Sequence, residues 1–347
     1  RTEARVTAAT SRRTAERGAA PAATGVLSRS AFALFSPLCV ASGRVPRALA
    51  WLEERDLEVA WTQMLQLRRA HVDGLWERLI PTVAPRRVQV VADAMVAGPS
   101  LLVALRDRGV GTTATARLRA LKGSADPAAR PEHSLRTHLG APNLLTSLVH
   151  TPDTPEDLVR ELEVLVPGVD EREEVWRALR DGASGGGSTR PVVPGEVPPP
   201  PVAAFVVGVR LRARLLDRLL DRSAQGALPA LGGLVGDVAR VVDRARDAAE
   251  RSDPFAPLAA LARHRETLFP QRHRLVHAMR PEDPASAVDE QCRLLSRAYA
   301  ELEAMEEGEP FDLPLVTACL DRTGVPLTTW ERVVLASESL TPSPARA

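Results

Sequence analysis

Hydrophobic residues in the first half of the chain follow two periods, one typical of strands and one typical of helices. The apolar run 32–35 predicts a buried strand, and 57–61 alternates apolar with polar or small residues, as a half-buried strand does. A helical period occupies 46–55 and 71–97, and another strand is predicted at 100–105. Strands and helices interspersed in this way predict an α+β domain.

The second half of the chain has a helical period and no strand pattern of comparable strength. The segment 209–222 places Leu211, Leu215 and Leu219 on one side of a helix and arginines on the opposite side. Further helices are predicted at 235–251, 257–268, 285–305 and 313–320. These segments predict a bundle of four to six helices. Four acids are predicted to lie on a solvated helix end: Glu301, Glu303, Glu306 and Glu307.

A segment rich in glycine, serine and proline separates the two halves. GASGGGSTRPVVPGEVPPPP, residues 182–201, joins a flexible glycine-serine part to a stiff polyproline part, which is typical of a linker. The first residues lack a sustained period and are predicted to be a flexible arm. We therefore divide the chain into five parts: arm 1–27, α+β domain 28–181, linker 182–202, all-α domain 203–340 and frayed tail 341–347.

Composition narrows the class of protein. A chain of 347 residues, 44% of them hydrophobic, is long enough for two domains with their own cores. A net charge of +1 gives no reason to expect bulk attraction to nucleic acid or membrane. No apolar run approaches the roughly 20 residues that a membrane helix needs. Cys39, Cys292 and Cys319 lack metal-ligand spacing, which predicts buried thiols in a reducing, cytoplasmic setting. Nearly all 45 basic residues are arginine, and Lys122 is the one lysine.

Candidate chemistry centres on His150, which follows a short predicted strand at 145–149. Thr154 and Pro155 then form a helix start, with a hydroxyl N-cap and proline at the first helical position. Because this helix begins just after the histidine, Glu161 falls on a face that can turn back toward His150. A carboxylate in that place fixes the orientation of an imidazole.

Two arginines upstream, Arg119 and Arg136, are predicted to converge on the same cleft as His150. Guanidinium groups are the usual forked partners of phosphate oxygens. A neutral imidazole is a competent nucleophile for phosphorus when cations neutralise the phosphate charge. Together these residues predict a phosphoryl-transfer site.

The same stretch resembles the nucleoside diphosphate kinase family over about residues 28–167. The matching positions follow the family's order: Gly98-Pro99, Arg119, the loop 123–127, Arg136, and His150 with Asp153 and Glu161. The resemblance implies a ferredoxin-like antiparallel sheet with covering helices, which is an α+β fold. It also implies that the domain binds nucleoside triphosphates and diphosphates.

By the same resemblance, His150 would accept a γ-phosphoryl group and pass it to a second nucleotide by a ping-pong route. Glu161 would orient the ring, and Arg119 and Arg136 would bind phosphates. Mg²⁺ would enter bound to the nucleotide, so the resemblance implies no dedicated metal site in the protein. The family also implies a homo-oligomer.

Several positions depart from the family pattern. Ser36 and Leu38 stand where the family has a lysine and an aspartate. Ala125 replaces a threonine, and Ser147 replaces an asparagine. Ser36 and Ser147 stay in register as candidate nucleotide contacts, and Leu144 can supply an apolar wall for the base. The phosphate-binding half of the site is thus retained, and the ribose and base half is altered.

An alternative is a catalytically weak nucleotide sensor fused to a helical effector. FPQRHRLVHAMRP places Arg272, His273 and His277 at one helical seam, and this string resembles the motif of HEPN domains. The resemblance implies metal-independent RNA cleavage by Arg272 and His277, with His273 assisting, or a partner-binding module. Two other interpretations stay open: the two histidines are helix-surface or capping residues, or both domains are assembly modules.

Overall fold

A computed structural model describes residues 24–181, 204–224, 290–306 and 309–341, with short helical pieces between 235 and 247. The predicted linker, the helix predicted at 257–268 and most of the predicted arm lie outside these residues. The end of the predicted arm belongs to a short helix, and its Val26 and Leu27 pack against the core of the first domain.

The sheet of the first domain has four strands: β1 Ser30–Phe35, β2 Leu57–Gln66, β3 Pro99–Asp107 and β4 Val149–His150. Their order in the sheet is β2-β3-β1-β4, and each neighbouring pair is antiparallel. A register shift between Val59 and Trp61 marks an irregularity in β2. The expected α+β fold with an antiparallel sheet is confirmed.

Helices cover both faces of this sheet, so alternate residues of a strand enter two different cores. Phe32 and Leu34 of β1 pack in one core, and Ala31, Ala33 and Phe35 pack in the other. Successive side chains of a strand point to opposite faces, and here each face meets helices. This is why all six residues of β1 are buried.

The helices of the first domain are, in chain order, α1 Thr24–Ser28, α2 Pro37–Ala41, α3 Val45–Glu53, α4 Arg69–Leu75, α5 Pro85–Val96, α6 Ala114–Lys122, α7 Leu135–His138, α8 Pro155–Leu165 and α9 Val169–Asp181. Short 3₁₀ turns lie at Ile80–Thr82 and Pro127–Ala129. The segment 71–97, predicted to be helical, therefore contains most of α4 and all of α5, with a 3₁₀ turn between them.

The described part of the second half is helical. Its long helices are α10 Ala204–Ala224, α11 Glu290–Glu306, α12 Leu313–Thr323 and α13 Thr329–Leu340. Leu211, Leu215 and Leu219 of α10 are buried in a common core with residues of the other three helices, as predicted. The all-α character is confirmed for these residues.

Charged residues of this helical region correct the prediction made from periodicity. Arg212 is buried, although the pattern of α10 predicts arginines on the solvent side. Its Nη2 donates to Glu306 Oε2 over 2.6 Å, and its Nη1 donates to the hydroxyl oxygen of Tyr299 over 3.2 Å. Glu303 and Glu306 are also buried, so the prediction of a solvated helix end was wrong for both. The arginine and the acids lie far apart in sequence, and they neutralise each other only after α10 and α11 pack together.

All three cysteines are buried thiols, as predicted, and none forms a disulfide within the described residues. Cys39 lies in a core of the first domain, and Cys292 and Cys319 lie in the core of the helical region. Burial raises the pKa of the Cys39 thiol to about 12, so this thiol stays protonated near neutral pH.

Helix α13 contacts the first domain. It packs against α5, and its Trp330 lies against one of the two cores of the sheet. Ser337 Oγ donates a hydrogen bond of 2.7 Å to Asn143 Oδ1, which also accepts from two backbone N–H groups that follow it. The segment that leads to His150 is therefore tied to the helical region.

Candidate active site

His150 is the last residue of β4, where it pairs with Leu34 of β1. Its side chain is 16% exposed. The rings of Phe32 and Trp76 flank the imidazole at centroid distances of 6.2 and 5.3 Å. The strand is shorter than predicted because Leu148, at φ +66°, interrupts the extended backbone. The histidine is therefore held beside aromatic rings, with a small part of its surface accessible.

Glu161 binds the imidazole directly. Helix α8 begins at Pro155, and the Thr154 side chain accepts a hydrogen bond from the backbone N–H of Asp157. This start puts Glu161 on the buried face of α8, and its Oε2 lies 2.7 Å from His150 Nε2. The structure thus brings together the two residues that the helix position predicts to meet.

The contact with Glu161 sets which nitrogen of the neutral imidazole carries the proton. Arg160 Nη2 donates to Glu161 Oε1 over 2.9 Å, so the carboxylate has a guanidinium partner on its other oxygen. An ionised carboxylate only accepts hydrogen bonds, so His150 Nε2 carries the proton of the neutral ring. Nδ1 then keeps its lone pair, and it is the nitrogen that can attack an electrophile.

Arg160 also belongs to the site, although no sequence motif indicated it. Besides Glu161, it binds Gly74 O through Nη1 at 2.9 Å and Asp157 Oδ1 through Nη2 at 3.2 Å. It therefore connects α4, the first turn of α8 and the carboxylate that holds the histidine. Its one sequence signal is its position beside Glu161, and that position does not reveal the contact with α4.

Arg136, in α7, is buried next to the histidine strand. Its Nη1 donates to Gly123 O over 2.8 Å, and its Nη2 donates to Val149 O over 3.0 Å. Burial, and then the charge of Arg130, lower the pKa of Arg136 to about 10, which keeps it cationic at neutral pH. The predicted convergence of Arg136 and His150 is seen in the bond to Val149. Both terminal nitrogens of the guanidinium bind backbone oxygens.

The loop 123–127 has a shape that requires glycine at its start. Gly123 has φ +79°, and a Cβ at this position would lie 2.4 Å from Ser134 Cβ. Arg130 donates to two carbonyl oxygens of the loop, at 3.1 and 2.8 Å. The loop is therefore fixed by a close approach at Gly123 and by arginines that bind its carbonyl groups.

A groove of about 440 Å³ lies beside this loop, and Arg119, Lys122 and Asp153 contribute to its lining. Asp153 Oδ1 lies 3.7 Å from Arg119 Nε and 3.3 Å from Lys122 Nζ. The Arg119 side chain is 62% exposed, so its guanidinium is accessible from solvent. Two cations and one carboxylate leave an excess of positive charge, which suits a phosphate group.

Three further predicted contacts lie around the segment before β4. Ser36 Oγ accepts a hydrogen bond from a backbone N–H and caps α2, and its own N–H donates to Leu148 O over 2.9 Å. Leu144 is 36% exposed, and Ser147 is half-buried. Ser36 is therefore tied to the backbone two residues before His150, with its hydroxyl engaged in the helix cap.

A comparison with protein families matches residues 29–170 to the model described as nucleoside diphosphate kinase. This part of the chain resembles the nucleoside diphosphate kinase family. The match includes the histidine, the carboxylate and both arginines considered above, and it agrees with the extent of the motifs. We refer to residues 29–170 as the kinase-like domain.

Solved structures similar to the chain include three such kinases. The enzyme from Encephalitozoon cuniculi is 17% identical with a TM-score of 0.36, and the match covers 40% of this chain and 90% of that chain. The enzyme from Aquifex aeolicus is 19% identical with a TM-score of 0.35, and the match covers 41% of this chain and 96% of that chain. The NDP kinase from Pyrobaculum aerophilum is 16% identical with a TM-score of 0.32, and the match covers 39% of this chain and 94% of that chain. No curated protein matched the chain.

The other site predicted from the sequence falls outside the structural description. Arg272, His273 and His277 lie outside the described residues, so the HEPN resemblance stays a prediction. Within the described residues, no group of three or more potential metal-ligating side chains lies close enough to hold an ion. Nor does any described helix combine the length and apolar composition needed to cross a membrane.

Proposed function

We propose that the kinase-like domain binds nucleoside triphosphates and diphosphates and transfers a γ-phosphoryl group through a phosphohistidine at His150. The observation that carries this proposal is the 2.7 Å contact between His150 Nε2 and Glu161 Oε2. It fixes the ring and leaves Nδ1 as the nucleophile. Arg160 binds the other oxygen of this carboxylate and so holds it in place against the ring.

The proposed reaction has two half-reactions. In the first, the Nδ1 lone pair of His150 attacks the γ-phosphorus, and the bond from that phosphorus to the bridging oxygen breaks. The nucleoside diphosphate then leaves with the electron pair of that bond. In the second, a terminal oxygen of another nucleoside diphosphate attacks the phosphorus, and the bond to Nδ1 breaks. Glu161 stabilises the positive charge that the ring acquires on phosphorylation.

The cations of the site support binding of a polyphosphate. Arg119 is exposed in the groove, where its guanidinium can bind phosphate oxygens. Arg136 joins the loop 123–127 to the histidine strand, and a direct contact with the nucleotide stays a prediction for it. Mg²⁺ would arrive bound to the nucleotide phosphates, as part of the substrate.

The first test is labelling with ATP that carries a radioactive γ-phosphate, in the presence of Mg²⁺. We expect an acid-labile label on the protein, which added nucleoside diphosphate removes. The variant His150→Ala should take up no label, and the matched control His133→Ala, at an exposed histidine of the same domain, should take up as much as wild type. Equal labelling of His150→Ala and wild type would rule out the proposed phosphohistidine.

A nucleotide sensor is the second candidate function. It is favoured by Ser36, whose hydroxyl caps a helix at the position where the family has a lysine. It is also favoured by the hydrogen bond from Ser337 to Asn143, because this contact links the segment before His150 to the helical region. Nucleotide binding by calorimetry without any label on His150 would support the sensor and exclude the transferase.

Self-association belongs to the same proposal, because the family resemblance favours a homo-oligomer. Light scattering of the purified protein should give a multiple of the chain mass. A mass equal to one chain at all concentrations tested would contradict this part of the proposal.

RNA contact by the segment with Arg272 and His277 stays a prediction from the sequence, to be tested by cleavage assays with His277→Ala.

A further inference from the structure

Lys122 is the one lysine of the chain, and it is buried where it lines the groove. It is the last residue of α6, and its side chain is 10% exposed. We propose that the Lys122 ammonium binds the terminal phosphate of the nucleotide. This inference rests on the proposed function, and it assigns a residue that the motif comparison did not select.

The position of the ammonium indicates which phosphate it would bind. Lys122 Nζ donates to Thr151 O and to Asp153 Oδ1, each at 3.3 Å. Thr151 is covalently next to His150, so the ammonium binds the backbone of the residue that follows the histidine. Arg119 lies one turn earlier in α6 and lines the same groove. The phosphate nearest the histidine, which is the transferable one, is therefore the partner assigned to Lys122.

The charges around Lys122 favour an added anion. An ammonium has three N–H donors, and its contacts within the described residues use two of them. Asp153 is shared with Arg119, so one carboxylate faces two cations. Burial, and then the charge of Arg136, lower the pKa of Lys122, and Asp153 offsets part of that shift. A phosphate with two negative charges would supply a hydrogen bond and compensate the excess positive charge.

The rival role for Lys122 is that of a structural brace. Its two bonds join the end of α6 to the turn 151–153, and a lysine at a helix C-terminus also interacts favourably with the helix dipole. The two roles differ in what they predict for Asp153. If Lys122 has only this structural role, the Asp153 carboxylate is its partner, and removing either the ammonium or the carboxylate should impair the site. If Lys122 binds phosphate, that carboxylate competes with the nucleotide for the ammonium.

Calorimetry can separate the two roles. The full chain would be titrated with Mg²⁺ and β,γ-imido ATP, which cannot transfer its terminal group, and separately with AMP. Lys122→Met should weaken binding of the triphosphate analogue by about 10- to 100-fold and binding of AMP by less than about threefold. Lys122→Arg should keep most of the affinity, because it keeps the charge. Asp153→Asn should bind the analogue as tightly as wild type or more tightly.

A second measurement uses wild type alone, so it does not depend on whether a variant folds. Because the chain has one lysine, an acetylating reagent has only Lys122 and the α-amino group to modify as amines. Mass spectrometry of the digested protein would follow both positions with and without the imido analogue. We expect the nucleotide to slow acetylation of Lys122 at least fivefold and to leave the α-amino group unchanged.

The outcomes distinguish this inference from the proposed function. If wild type does not bind the analogue at all, the proposed function fails and the assignment of Lys122 fails with it. If wild type binds but Lys122→Met binds equally, or if acetylation of Lys122 is unchanged, only the assignment of Lys122 fails. If Lys122→Met and Asp153→Asn weaken the analogue and AMP to the same extent, Lys122 is a brace.

Discussion

The two regions of this protein each contain a buried network of charged side chains, and the networks differ in what they leave unused. In the helical region, Arg212 is 1% exposed and bonds to Tyr299, Glu303 and Glu306. In the kinase-like domain, Glu161 joins Arg160 to His150, whose side chain is 16% exposed. In the Arg212 network the charged groups bind one another. In the His150 network, Nε2 binds Glu161 and the other ring nitrogen, Nδ1, keeps its lone pair.

Because of this difference, buried charge by itself does not identify a functional site. The Arg212 network is explained by mutual neutralisation between α10 and α11, and burial raises the pKa of Tyr299 to about 12 within it. The His150 network instead holds the histidine that we propose as the nucleophile, and Asp153, shortly after it in sequence, lines a groove with excess positive charge. We therefore expect changes in the first network to alter stability, and changes in the second to alter chemistry.

The largest effect is expected from Arg212→Met. Removing the guanidinium leaves two buried carboxylates without this partner, which should cost about 3 kcal/mol in the free energy of unfolding. Urea-induced unfolding followed by circular dichroism would measure it, and binding of the imido analogue to the folded protein should not change. Arg293→Met, at an exposed arginine of α11, is the control and should cost within about 0.5 kcal/mol. Similar losses for both variants would remove the distinction between the networks.

The next largest effect is expected from Glu161→Gln, which keeps the shape of the side chain and removes its charge. Without the carboxylate, Nε2 is no longer fixed as the protonated nitrogen and the phosphorylated ring is less stabilised. We expect phosphorylation of His150 to slow about 100-fold, measured by single-turnover labelling. Glu163→Gln, on the exposed side of α8, should label at the wild-type rate. An unchanged rate in Glu161→Gln would mean that the carboxylate only supports the fold.

A smaller effect is expected from Ser337→Ala, which removes the hydrogen bond between the two regions. The loss of the 2.7 Å bond to Asn143 should cost about 1 kcal/mol in the free energy of unfolding. The control is Ser339→Ala, because within the described residues the Ser339 hydroxyl bonds to Ala336 O of its own helix. If Ser337→Ala also changes nucleotide affinity and Ser339→Ala does not, the two regions are coupled through this contact.

The smallest effect is a dependence of stability on pH that comes from Lys122. Its pKa is lowered from 10.5 in the folded protein, so the folded state holds the proton less tightly than the unfolded state does. The free energy of unfolding of wild type, relative to Lys122→Met, should therefore rise as pH increases through the folded pKa toward 10.5. Urea unfolding of both proteins at several alkaline pH values would measure the difference. If the free energies of unfolding of the two proteins change in parallel with pH, burial does not disfavour the ammonium.

Local signals carried most of what could be predicted about the candidate site. Thr154, Pro155 and the acids after them define where α8 begins, and this start fixes the face on which Glu161 lies. The apolar run 32–35 likewise predicts a strand, and the structure has β1 there. These predictions succeeded because each depends on hydrogen bonds and periodicities within about one helical turn or a few strand residues.

The hydrogen-bond partners of the charged residues could not be predicted from these local patterns. Arg136 was predicted beside His150, but the sequence gives no sign that its terminal nitrogens bind the carbonyls of Gly123 and Val149. Arg160 was missed because its contact with Gly74 depends on how α4 packs against α8. A guanidinium has five donors and a long stem, so its partners follow from the packing of distant elements.

Sequence patterns predict most of the strands and helices in their order along the chain, and the sequence itself shows the spacing of His150 and Glu161 and the single ammonium side chain at Lys122. The packing of distant elements neutralises Arg212 in a core and places Lys122 against the turn after the histidine, and neither contact follows from local patterns. The physical reason is that hydrophobic period reports which side of an element is apolar. It does not report which charges, tens of residues away in sequence, are brought within hydrogen-bonding distance when elements pack.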